Sequence, residues 1–397
     1  MKKVMQAELS DKSGKLFTKI ELPATFEEME DCLEKIHGTS ENSKVISAEC
    51  LMEYDLIGEK ELEPCSLYEF NHFATVVENL DEVDQQRFEA LTVLACKNDA
   101  ITVNELINIA MNLNEIDMHY IPVLNDKELG DFYIDNGFLP QLDNFPTDKA
   151  DWMISHINCK KVGKEMREQE NGIYCGRGYV VLNEKLEQLY NGNFSVPKPK
   201  GYVFCLEIAK APIGDIPNDE YTVTLTLPAS NRDIITAVKK IGASAPQECV
   251  FYEYESTIPQ LEEKFEDMSD LYTLNELARK IETMKACGGI PKYKALLSTL
   301  DKFNLQTALE VTEYQSEFIL ESECDTPSEY GMKMLKDIEL PFKEELLFYI
   351  FDYGYGTALM QKNGVEKTPY GMLVPLSGVA LSMQMEENKP TMTMEMK

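Results

Sequence analysis

The sequence predicts an α+β fold, built as an elongated array of small α/β and helical domains in two related halves. Three observations carry that expectation. Short runs of alternating apolar and polar residues are interleaved with stretches of helical periodicity. Capping boxes stand ahead of the helical stretches. One apolar stripe also returns far along the chain. Leu67, Phe70, Phe73, Ala74, Val77 and Leu80 are matched by Leu271, Leu274, Leu277, Ala278, Ile281 and Met284, each shifted by 204 positions. Tyr68 and Asn71 return in that register as Tyr272 and Asn275.

The first unit, residues 1–65, reads as α+β. Val4 to Leu9 and Lys15 to Leu22 are strands joined at Ser13-Gly14, and Lys44 to Tyr54 is a third. Between them Thr25 caps a helix with Glu28 as its box partner, and Glu27, Glu28 and Glu30 suit the positive end of its dipole. An acidic run, Glu53, Asp55, Glu59, Glu61 and Glu63, follows. Residues 66–140 read as four consecutive helices. Three start at Ser66/Glu69, Thr102/Glu105 and Asn125/Glu128; the other spans Glu82 to about Cys96, and Gly137 ends the last in a left-handed turn. Residues 141–190 form a third unit: a helix from Thr147 to Ile157, another to about Glu168, and a hairpin around Gly176-Arg177-Gly178. Lys149, Lys160, Lys161, Lys164 and Arg167 make this unit less acidic, and Trp152 reads as core.

Residues 191–201, with three prolines or glycines near their end, form a stiff extended linker. The order then repeats: 202–265 for the first unit, 266–338 for the helical one, and 339–378 for the third. Leu22-Pro23-Ala24-Thr25 pairs with Leu227-Pro228-Ala229-Ser230, and Phe145-Pro146 with Leu340-Pro341. Thr326-Pro327-Ser328-Glu329 is a helix start with Pro at its first position. The third unit's copy runs from Phe342 through Tyr353–Gln361 to a hairpin at Pro369-Tyr370-Gly371, with Tyr353-Gly354-Tyr355-Gly356 expected as a tight turn. Met-rich, polar residues 379–397 predict a flexible tail.

Charge is the outlying quantity. The formal net charge is −31 at pH 7. Residues 1–200 hold 37 acids and 20 bases, the remainder 32 and 18, so the excess is not an acidic tail on an ordinary domain. Residues 21–135 alone carry 27 acids against 6 bases. Only five residues are Arg, the preferred clamp for phosphate, which argues against direct nucleic-acid binding. No apolar run reaches the roughly 18 residues of a membrane span, and Met1-Lys2-Lys3-Val4 begins no signal core. Ten scattered cysteines without Cys-x-x-Cys read as reduced thiols. A cytoplasmic protein is expected.

Residues for catalysis are not assembled. His37, His72, His119 and His156 have no metal-ligand spacing. There is no phosphate loop, nucleophile elbow or calcium loop. No catalytic residue, metal ligand or cofactor is expected.

Three groups of residues carry a family resemblance. They are Leu67–Ala74 (LYEFNHFA), Ile101–Leu113 (ITVNELINIAMNL) and Leu129–Ile134 (LGDFYI), supported by Val162–Met166 and Gly178–Val181. Together they resemble the ArdA-type antirestriction proteins. That resemblance implies a three-domain DNA mimic, typically dimeric, which occupies the DNA groove of type I restriction–modification enzymes and inhibits them. It places the family's acidic motif on Asp126 to Asn136, with Asp126, Glu128, Asp131 and Asp135. Glu27, Glu28, Asp81, Glu82 and Asp84 complete the expected phosphate-mimicking surface. The chain departs from the family in being about twice as long. Fused halves would form a pseudo-dimer, or dimerise further. In the second half Tyr330-Gly331-Met332-Lys333 stands where Gly130-Asp131-Phe132 stands in the first.

The sequence therefore points to a non-enzymatic inhibitor from a phage or mobile element, whose partner is a DNA-binding protein with a basic groove. Two rivals are an acidic adaptor for another basic DNA-processing or defence protein, and a carboxylate metal-dependent hydrolase.

Overall fold

A computed structural model of the chain describes residues 1–58, 60–95, 99–113, 118–139, 156–175, 178–182, 186–210, 222–263, 270–338, 350 and 352–387. The fold is α+β, with helices and small, mostly antiparallel sheets. It divides into two compact units. Unit 1 holds Met1–Thr25 and Thr39–Pro197, and unit 2 holds Phe26–Gly38 and Lys198–Lys397. The first helix, α1 (Phe26–Lys35), therefore belongs with the second half of the chain.

In unit 1, β1 (Met5–Ser10), β2 (Phe17–Leu22) and β3 (Lys44–Cys50) form an antiparallel sheet in the order β2-β1-β3. Met5, Ala7 and Leu9 point to the buried face, as the period-2 pattern requires. The turn into β2 is held by Asp11, whose carboxylate accepts from the amides of Ser13, Lys15 and Leu16. Next come α2 (Leu67–Val77), α3 (Glu82–Ala95) and α4 (Val103–Asn112). The α2 stripe Leu67, Phe70, Phe73, Ala74 and Val77 is buried. Strands β4 (Glu61–Leu62) and β5 (Ala100–Ile101) pair in parallel.

The expected run of four consecutive helices is interrupted. Strand β6 (Met118–Ile121) separates α4 from α5 (Asp126–Asp135). It joins β7 (Ile173–Cys175) and β8 (Gly178–Leu182) in an antiparallel sheet of order β6-β8-β7. Helix α5 packs on α6 (Cys159–Glu170), so the acidic motif belongs with the third unit. Four residues are too few to display a period, and β6 is specified by its partner β8. Gly176 and Arg177 of the expected hairpin turn lie outside the described residues. So do Glu59, Cys96, Thr147 and its helix up to residue 155, Trp152, Phe145-Pro146, Leu340-Pro341 and residues 342–349.

Ser66 makes no side-chain cap. Its expected partner Glu69 accepts instead from the Tyr190 hydroxyl at 3.0 Å. The Thr102/Glu105 box is complete. Tyr190 ends a strap over α4. Asn108 Oδ1 accepts from the amides of Leu189 and Tyr190, both at 2.8 Å, and Asn112 brackets the backbone of Glu187 with both ends of its amide. Burial, then the Glu69 carboxylate, push the Tyr190 hydroxyl up to about 12. His72 stacks on Phe194, so the predicted linker is anchored at its start.

In unit 2, β9 (Phe204–Lys210), β10 (Thr222–Leu227) and β11 (Cys249–Ser256) form an antiparallel sheet ordered β10-β9-β11. Strands β12 (Phe318–Glu321), β13 (Glu366–Thr368) and β14 (Gly371–Pro375) form another, ordered β12-β14-β13. The helices, in chain order, are α7 (Asn231–Lys240), α8 (Pro259–Glu263), α9 (Leu271–Cys287), α10 (Ile290–Ser298), α11 (Leu305–Val311), α12 (Pro327–Asp337), α13 (Asp352–Lys362) and α14 (Leu381–Glu387). One apolar core runs from Val203 to Leu381. In unit 1 the Asn71 amide bonds both backbone groups of Ala24; in unit 2 Asn275 does the same to Ala229.

Two expectations for this unit change. Tyr353-Gly354-Tyr355-Gly356 is helical, within α13. A Cβ on Gly356 would stand 1.8 Å from the Pro327 carbonyl oxygen, so this glycine serves the close approach of α12 and α13 rather than a turn. The expected flexible tail contains α14, whose Leu381 is buried in the core. Apolar burial holds a polar, Met-rich segment that local composition marks as loose. Residues 388–397 lie outside the described residues.

Candidate functional site

Helix α5 begins at Asn125, whose side chain accepts from the amides of Lys127 and Glu128. Glu128 reaches back, accepting from Asn125 Nδ2 at 2.7 Å and the Leu124 amide at 2.8 Å. Gly137, at φ 71°, closes the helix. The apposition of α5 and α6 rests on two glycines. A Cβ on Gly130 would meet the Cys159 carbonyl oxygen at 1.8 Å, and one on Gly163 would meet that of Asp126 at 1.8 Å. Backbone packs against backbone, and the remaining α5 faces are left for side chains.

The four expected acids of α5 have different environments. Asp126 faces α6: its Oδ1 accepts from Arg167 Nε and from the Tyr174 hydroxyl, each at 2.9 Å. The Arg167 hydrogen bond, with that of Tyr174, holds its carboxyl below the usual range. Asp131 is half-buried beside Cys159, and its hydrogen bond to that thiol raises the thiol pKa. Glu128 and Asp135 are exposed. Glu128, Asp131 and Asp135 fall at i, i+3 and i+7, along one side of the helix.

Asp81, Glu82 and Asp84 gather at the start of α3. Asp81 and Glu82 are exposed and Asp84 half-buried. Asp81 accepts from the Asp84 amide at 2.9 Å, and Glu82 from the Tyr54 hydroxyl at 3.3 Å. These seven acids lie in unit 1, whereas Glu27 and Glu28 lie on α1 in unit 2. Glu27 turns inward: its Oε1 accepts from the Lys200 amide at 2.7 Å and its Oε2 is buried.

Sequence reasoning missed the side chains that organise α5 and α6. Glu170 takes the hydroxyls of both Tyr133 and Tyr179. In the sequence Arg167 reads only as a positive charge, and no local spacing marks its pairing across 41 residues with Asp126. Among the described residues no group of three or more His, Cys, Asp or Glu is placed to hold a metal ion, and the described cysteines are free thiols. Among them, too, no helix is long and apolar enough to cross a membrane.

No family model and no curated protein matches this chain.

Proposed function

We propose that this protein is a cytoplasmic DNA mimic that occupies the DNA-binding groove of a type I restriction–modification enzyme and inhibits it. The observation that carries the reading is the acid balance of residues 21–135, 27 acids against 6 bases. Of the described acids in that segment, Asp31 alone is buried. Such an excess costs stability by self-repulsion and attracts a basic groove by long-range steering. The resemblance of the α2, α4 and α5 sequences to ArdA-type proteins supports the same target.

Charge spacing supports it too. Duplex DNA carries one charge per roughly 1.7 Å of axis, or about 3.4 Å along either strand. Glu128, Asp131 and Asp135 span about 10 Å of helix at 1.5 Å per residue, hence about one charge per 5 Å. One helix edge thus approaches the linear density of one DNA strand. Asp126 is paired with Arg167, Glu27 turns inward and Glu28 lies in unit 2, which leaves Asp81, Glu82, Asp84, Glu128, Asp131 and Asp135 as the principal mimic residues of unit 1. The matched stripes, sheet orders and Asn–Ala bonds further support a duplicated array, in which the second half stands in for a second subunit.

Competition tests the proposal. A labelled duplex bound to a type I methyltransferase core should be displaced by the full chain, with affinity falling as salt rises. Neutralising all six principal acids together to Asn or Gln should weaken displacement by about tenfold or more, while each single change stays within about twofold, because exposed charges contribute little individually. Undiminished DNA binding and cleavage by several type I enzymes at saturating protein would overturn the reading.

A further inference from the structure

Four Asn-Gly pairs stand in the sequence, at 136–137, 171–172, 191–192 and 363–364. Each sets a carboxamide carbon beside a backbone nitrogen that no neighbouring Cβ hinders. Folding decides which pair is open to reaction. Gly137 donates its amide to the Ile134 carbonyl at 3.1 Å, and Gly172 to that of Arg167 at 3.2 Å, so both nitrogens are engaged at helix ends. The Asn136 carboxamide is held as well, its Nδ2 donating to the Phe132 carbonyl at 2.8 Å. Gly364 is wedged against the turn at 378–380, where a Cβ on it would stand 2.7 Å from the Gly378 carbonyl oxygen.

Asn191-Gly192 differs on each count. Both residues are exposed, and a Cβ on Gly192 would meet nothing within 4 Å. Among the described residues neither backbone amide of the pair has a hydrogen-bond acceptor. The pair belongs to a short arch between two anchors. Tyr190 is buried with its amide on Asn108, and Phe194 stacks on His72. Within the arch Asn191 Oδ1 accepts from the Asn193 amide at 3.3 Å, which folds the carboxamide back along the Gly192 peptide. That N–H is aimed at the oxygen on which negative charge develops when Cγ is attacked.

We infer that Asn191 is a self-modification site, whose carboxamide the chain converts to a carboxylate without an enzyme. The Gly192 nitrogen attacks Asn191 Cγ. A bond forms between them, the bond from Cγ to the side-chain nitrogen breaks, and ammonia leaves with the proton given up by the glycine amide. Water then opens the cyclic imide at either carbonyl, giving aspartate or isoaspartate. No electron is transferred, and water is the sole co-reactant. The formal charge passes from −31 to −32, and the isoaspartyl product lengthens the backbone between Tyr190 and Phe194 by a carbon. The inference is independent of DNA mimicry, since it concerns none of the mimic acids.

Ageing of the full chain in heavy-oxygen water at neutral pH tests this, with peptide mapping by mass spectrometry and isoaspartyl methyltransferase labelling as readouts. The peptide holding Asn191 should take up heavy oxygen and give isoaspartate about tenfold faster, or more, than those holding Asn136, Asn171 and Asn363, whose reaction waits on local opening. In the urea-unfolded chain the four rates should converge to within about threefold, because no fold then distinguishes them. Gly192→Val should slow conversion at Asn191 by about tenfold and leave the other three unchanged, since a β-branched side chain crowds the nitrogen. Native conversion at another pair first, or equally at all four, would overturn the inference. So would a folded chain that keeps Asn191 intact while the unfolded chain converts it.

Discussion

Lys294 and Asp31 stand 2.9 Å apart with 3% and 5% of their side chains exposed. Lys294 also reaches Glu34 at 2.7 Å, and Asp31 accepts from Lys35 at 2.7 Å and from the Tyr370 hydroxyl at 2.7 Å. This network ties α1 to α10 and the β13–β14 turn within unit 2. Removing one member of a buried pair strands the other's charge, at about 3–5 kcal/mol. Lys294→Met should therefore lower the urea midpoint of unit 2 by that equivalent. Adding Asp31→Asn should recover part of the loss rather than add to it.

The same network predicts an unusual acid response. Burial by itself raises Asp31, but Lys294 and Lys35 bring its carboxyl below the usual range. Its contribution is complete above the ordinary Asp value of about 3.9 and is lost as pH falls through the lower folded value. Glu34 has the opposite sign: burial pushes it up, only partly offset by Lys294. Its ionised form costs stability, which returns as pH falls through its raised value towards the ordinary Glu value of about 4.3. Urea midpoints against pH should thus rise slightly in weak acid before falling. Glu34→Gln should remove the rise and keep the fall.

Gly130 lies inside the acidic motif, yet it faces the Cys159 carbonyl rather than a partner. Gly130→Ala should force α5 from α6 and cost at least about 1–3 kcal/mol, the range for overpacking. Gly163→Ala should match it, because the same helix crossing is involved. Circular-dichroism melts of the two variants and their double should show strong non-additivity.

Asn108 holds the strap that ends at Tyr190. Asn108→Ala leaves the Leu189 and Tyr190 amides without their acceptor, a loss of about 1–3 kcal/mol. Hydrogen exchange should read it directly: both amides should lose protection while those of β1 and β3 keep theirs.

Local chemistry was legible at most positions where a residue's partner lay within one turn or one strand. The alternation in β1, β3 and β9, the Thr102/Glu105 box, the helix start at Thr326-Pro327 and the Gly137 stop all concern groups one turn or one strand apart. The candidate site was legible as a set of acids but not as a set of roles. Asp126 and Glu27 have the same local signature as Asp135 and Glu82; what separates them is Arg167 at one position and the Lys200 amide at the other. Glu69 matched a capping-box pattern and was taken by Tyr190, 121 residues away.

The sequence by itself determined the α+β class, most strands and helices, the matched stripes and the acid excess, because periodicity and charge are properties of neighbouring residues. Tertiary structure alone decided that α1 belongs to unit 2, that α5 leaves the helices before it for α6 and β6, and that Leu381–Glu387 is held rather than loose. Each decision is made by burial and hydrogen bonding between residues far apart in the chain. A buried Lys294 finding Asp31, or a glycine admitting a carbonyl, leaves no trace in the spacing of either segment alone.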